Sequence, residues 1–113
     1  MTALFSRQGI ALTAQDDNTL EVSGNLGEGT AAALAGAGER WLENVAAPAA
    51  LTLDFRGVDR ASSAAISVLL QWLRACRTRH IRVEDILLSE PLSRLARLAE
   101  LDTLFDNPID NLG

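Results

Sequence analysis

The chain has 113 residues, 48% of them hydrophobic and 22% charged, which suits a single domain with a modest core and excludes wholesale disorder. Fifteen Asp and Glu against ten Lys and Arg leave a net charge of −5, so the basic face that a nucleic-acid-binding module needs is not expected. One Cys and one His exclude an internal disulfide and a Cys-based zinc site, and close off most Ser–His or Cys–His nucleophile arrangements.

Residues 4–12 read as a weak strand. Leu20, Val22 and Leu26 alternate with polar residues as a half-buried second strand, interrupted near Gly24. Asp16-Asp17-Asn18 is a turn signal between them, so an antiparallel hairpin is expected. Thr30 can cap a helix to about Val45, with Leu34, Trp41, Leu42 and Val45 on one side and the small residues Ala35, Gly36 and Gly38 permitting close approach to a sheet. The compact apolar run Ala50–Phe55 suits a buried parallel strand. Ser62 or Ser63 can cap a helix through Leu73 to about Thr78, and His80–Glu84 reads as another strand. A last helix starts at Ser89 or Glu90 with Pro91 in its first turn, burying Leu92, Leu95, Leu98 and Ala99, and Leu104-Phe105 is expected to pack on the domain's edge.

The order describes one α/β domain over residues 1–113: a mixed sheet of four to five strands with helices mainly on one face. The start, Met1 to Gln8, lacks the basic-then-apolar pattern of a signal peptide, and no stretch reaches the ~20 apolar residues of a membrane span. A cytoplasmic location is expected, with any membrane association made through a partner.

Most chemical readings weaken on inspection. Gly24–Thr30 has the outline of a phosphate loop, but Thr30 stands where the phosphate-binding Lys belongs and Glu28 would repel phosphate, so a bulge and a tight turn are the expected uses of its glycines. His80 reads as a surface or helix-capping residue, and Cys76 as a small buried apolar side chain. Asp54, Asp59, Glu84 and Asp85 lie near strand ends without a nucleophile or metal cluster; Asp54 and Asp59 are expected to hold loops through backbone amides. No cofactor or metal is expected.

Asp59–Ser67 is the informative segment. It joins a buried strand to a helix N-terminus, where free N–H groups and the positive dipole end favour anionic groups. Helical phase turns Ser62 toward the core and places Ser63, Ser67, Arg74 and Thr78 on one outward stripe. A phosphate on Ser63 would add about −1.5 to −2 charges there; the plainer use of both serines is capping, worth about 1 kcal/mol. The same helix carries an apolar arc of roughly 220°, wider than a surface helix needs. Val68 and Trp72 lie toward one margin of that arc, where either a partner protein or a neighbouring helix could cover them.

Three segments in order, Leu20–Leu26, Leu51–Val58 and Ser62–Leu70, resemble the STAS domain family, the sulphate-transporter and anti-sigma-factor-antagonist fold. The resemblance spans about Leu20 to Phe105. Within it, Asp54–Ser63 is similar to the strand and switch loop of the STAS subunits of Mla phospholipid ABC transporters, which maintain lipid asymmetry. This implies a non-enzymatic cytoplasmic adaptor that binds the transporter's ATPase subunit, supports its assembly and activity, and meets the inner membrane only through the permease complex. By the same resemblance Ser63 holds the position that is phosphorylated in sigma-regulating members and contacts the ATPase in transporter members. Asp59, Arg60, Ser62, Ser67, Val68, Trp72 and Arg74 are the expected partner-binding residues around it. The alternative is an anti-sigma-factor antagonist whose partner is an anti-sigma-factor kinase. Ser62 departs from the Asp that precedes the phosphoacceptor in that branch, and Ala64 and Ala65 stand where the family commonly has Gly.

Overall fold

The computed structural model describes residues 2–7, 9–15, 18–45, 50–60 and 62–101. Five strands, β1 (Thr2–Arg7), β2 (Ile10–Gln15), β3 (Thr19–Gly24), β4 (Ala50–Val58) and β5 (Arg82–Leu88), form one sheet in sequence order. β1, β2 and β3 pair antiparallel, while β4 lies parallel to both β3 and β5. The helices α1 (Glu28–Glu43), α2 (Ser63–Thr78) and α3 (Glu90–Leu98) follow β3, β4 and β5. The mixed α/β architecture is thus the expected one.

Alternation along the strands explains the layering. Ile10, Leu12, Leu20, Val22, Leu51, Leu53 and Phe55 are buried beneath the helices, while Thr13, Gln15, Glu21 and Thr52 between them stay half-exposed on the opposite face. The single strand expected over residues 4–12 is two strands, because Gly9 takes φ +83 and turns the chain between β1 and β2. β1 alternates too weakly for the break to be read from the sequence, whereas β2 alternates throughout. The residues at 16 and 17, where a turn is expected, and Leu104-Phe105 lie outside the described residues.

Helix boundaries needed some correction. Gly27, not Thr30, is the N-cap of α1; Thr30 sits one turn inside and its hydroxyl donates to the Gly27 carbonyl at 3.3 Å. His80 belongs to no strand. It follows α2 at φ +59, its N–H donating to Arg77 O and that of Ile81 to Cys76 O, the paired bonds of a Schellman end. Glu100 ends α3 the same way at φ +59, with N–H groups of Glu100 and Leu101 on Arg97 O and Ala96 O. On α3 the buried residues are Leu92 and Ala96; Leu98, expected inside, is 83% exposed, and Ala99 is exposed too. Leu98 lies about 120° around the helix from Leu92, off the buried face, and Ala99 is the C-cap beyond the last turn.

α2 is the central helix. It packs between α1 and α3 and against β5, which accounts for its wide apolar arc. Trp72 is fully buried, its indole N–H donating to the Ala35 carbonyl of α1 at 3.0 Å and its ring meeting Phe55 edge-on, centroids 5.6 Å apart. A Cβ on Gly38 would stand 2.4 Å from that indole, so Gly38 makes the groove that Trp72 fills. The close approach expected between α1 and the sheet is therefore made between α1 and α2.

Candidate functional site

The strand-to-helix corner before α2 is built from two loops. β3 and β4 run parallel, so the segments leaving them emerge side by side at the same end of the sheet. At the first, Gly24 takes φ +105, and a Cβ there would come within 2.0 Å of the Gly9 carbonyl oxygen, so only glycine fits. The Gly24 carbonyl accepts from the Asp59 N–H at 3.0 Å, tying the exits of the two strands together.

Ser62 completes the junction. Its backbone is extended (φ −139, ψ 123), as an N-cap requires, and its Oγ accepts from the Ala65 N–H at 3.3 Å. The same hydroxyl donates to the Leu26 carbonyl at 2.9 Å, thirty-six positions back in the chain. One side chain thus caps α2 and holds the loop ahead of α1 against it. The role of Leu26 was not legible in sequence, since only the parallel pairing of β3 with β4 brings that carbonyl to Ser62.

Around this fixed corner Asp59, Arg60 and Ser63 are exposed, followed by Ser67, Arg74 and Thr78 down α2. The outward stripe is therefore present as read. Ser63 is the first helical residue, so an anionic group on its hydroxyl would lie at the favourable end of the helix dipole. Ser62 is half-buried and its hydroxyl is already engaged on both sides.

Val68 and Trp72 do not join this surface. They are 2% and 0% exposed, covered by packing within the fold, so the expectation of an exposed anchor at that margin is corrected. Distinguishing that margin from an interhelical seam required knowing where α1 lies.

Asp54, Arg56 and Cys76 are structural. Burial raises the Asp54 carboxyl, but hydrogen bonds from the Arg56 side chain and backbone N–H, together with its charge, prevail and hold it below the usual carboxylate range. Arg56 grips both carboxylate oxygens at 3.0–3.1 Å, and its N–H meets Oδ1 at 3.0 Å. Burial pushes the Cys76 thiol up to about 11, keeping it protonated and unreactive at neutral pH. Among the described residues no three His, Cys, Asp or Glu are grouped to hold a metal ion, and no helix is long and apolar enough to cross a membrane.

A family model described as "Mlab, STAS domain" matches residues 10–106. The chain belongs to the STAS domain family. The match takes in the whole sheet from β2 onward, all three helices and the Ser62 corner. No curated protein matches the chain. STAS domains are generally regulatory or adaptor domains without catalysis of their own, with roles of an anti-sigma-factor-antagonist or transporter-associated kind.

Proposed function

We propose that this STAS domain is an adaptor subunit that binds the ATPase of a phospholipid ABC transporter, supports that transporter's assembly and activity, and reaches the inner membrane only through the permease complex. Ser63 is the polar centre of the contact, with Asp59 and Arg60 before it and Ser67 and Arg74 down the exposed side of α2. The observation carrying this reading is the rigid corner: Ser62 is consumed internally by Leu26 and Ala65, while the neighbouring Ser63 is presented outward at the helix start. The match to the "Mlab, STAS domain" family model is a further support for the transporter setting.

Exposed Ser63 also suits the second reading, an anti-sigma-factor antagonist switched by a kinase. Ser62 in place of the Asp of that branch weighs against it, because its hydroxyl holds the junction together and offers a kinase no acidic neighbour.

The test is capture of a phospholipid-transporter ATPase from the native cell, using wild-type protein and the variants Ser63→Glu and Arg74→Glu. Both substitutions lie on exposed positions, and each is expected to reduce capture at least tenfold, about 1.4 kcal/mol, with an unchanged melting temperature. Undiminished capture by both would remove this surface. Phosphate found on Ser63 after incubation with a neighbouring anti-sigma kinase, with no ATPase captured, would favour the second reading.

A further inference from the structure

The far margin of the molecule carries a second surface, away from the Ser62 corner. β1 is the terminal strand of the sheet and pairs only with β2, so its outer row of backbone N–H and C=O groups has no ladder among the described residues. α1 lies over this margin. Between α1 and β1 runs a groove of about 270 Å³ lined by Leu4, Ala37, Arg40, Trp41 and Asn44. Ala37, Arg40 and Trp41 of α1 and its C-cap Asn44 recur at helical spacing, on the side turned away from the Gly38–Trp72 seam. The β1–β2 register slips between Ala3 and Phe5, leaving Leu4 out of the ladder. Such a bulge re-aims a side chain, and Leu4 forms the groove's strand-side wall.

Charge distinguishes the occupants. Arg56, Arg79, Arg82 and Arg94 are each paired with a carboxylate. Arg40 on the groove's rim and Arg7 at the end of β1, stacked over Phe5 at 5.4 Å, have no carboxylate partner among the described residues, as Arg60, Arg74, Arg77 and Arg97 elsewhere on the surface have none. Two unpaired cations thus stand along a free strand edge, beside a half-buried tryptophan. A second copy paired along the same edge would set these cations against one another.

We propose that this groove binds an extended acidic protein segment by strand addition. Its backbone extends the sheet beyond β1, one apolar side chain sits between Leu4 and Trp41, and a flanking carboxylate meets Arg40 or Arg7. The site is independent of the Ser63 surface and does not rest on the transporter reading.

The probe is a synthetic heptapeptide alternating Val with Glu, beside a counterpart with Lys in place of each Glu. Added to the full chain, the Glu peptide is expected to slow amide exchange in residues 2–7 and to shift the Trp41 indole resonance while that of buried Trp72 stays put. Arg40→Glu, an exposed change, is expected to weaken binding about tenfold, as loss of one close charge pair would, with Ser63 resonances unaffected. No slowing within residues 2–7, or equal binding of the Lys peptide, would overturn the proposal. So would sedimentation showing that the protein alone dimerises through β1, which assigns the edge to a second copy.

Discussion

Two serines at helix starts have opposite circumstances. Ser62 Oγ spends its donor on Leu26 and its acceptor on Ala65. Ser89, the N-cap of α3, makes no capping bond, and its Oγ is buried without a partner among the described residues. Ser62→Ala is therefore expected to cost about 1–2 kcal/mol, an N-cap together with a tertiary bond. Ser89→Ala removes a polar atom that has only lost its water, so it is expected to be neutral or slightly stabilising. Urea denaturation of the two variants checks this contrast; equal losses would mean that Ser62 holds nothing beyond an ordinary helix end. Ser62 was legible as a cap from its place before an apolar helical run. Its second bond was not, because the partner is a carbonyl from another loop.

Helix pairing and helix ends belong to the next scale. α1 and α2 meet where Gly38 leaves room for the Trp72 indole, and the bond to Ala35 O fixes the ring in that slot. Gly38→Ala improves helix propensity by about 1 kcal/mol, yet places a methyl group against the indole. Overpacking of this kind costs about 1–3 kcal/mol, so net destabilisation is expected, read as a lower melting temperature with an altered near-UV signal from Trp72. Should the variant melt higher, the interhelical seam is looser than described. The end of α2 offers the reverse case: His80 holds a left-handed conformation that glycine adopts without strain, so His80→Gly is expected to stabilise by about 1 kcal/mol in the same thermal assay. His80 was legible as a helix-capping residue, and the Schellman end bears that out, while the strand that was expected to begin there starts two residues later at Arg82.

For the whole molecule, the sheet separates two environments. Its covered face is apolar, whereas its open face carries Glu21, Asp54 and Asp85 around Arg56, whose pKa is raised by hydrogen bonding to Asp54 and by the charges of all three. Asp54 is 5% exposed and its carboxyl is held below the ordinary range in the folded state. The unfolded chain consequently takes up that proton first as pH falls. The stabilisation is complete above the ordinary carboxylate pKa near 4 and disappears as pH falls through the lower folded value. Asp54→Asn is expected to lower the urea midpoint at pH 7, with the gap to wild type starting to narrow as pH falls to about 4. A gap unchanged between the two pH values would mean that the pair contributes packing alone.

Periodicity and turn chemistry determined the α/β class, the order of helices and parallel strands, and the outward stripe from Ser63 to Thr78, because each depends only on residues near one another in the chain. The family was legible for a related reason: three short segments in order retain the pattern of their local structure. Tertiary structure alone decided that Trp72 and Val68 lie inside and that Ser62 reaches Leu26. Those outcomes depend on which distant segment covers a given face, and an apolar arc on one helix has the same periodicity whether α1, a partner or water lies against it.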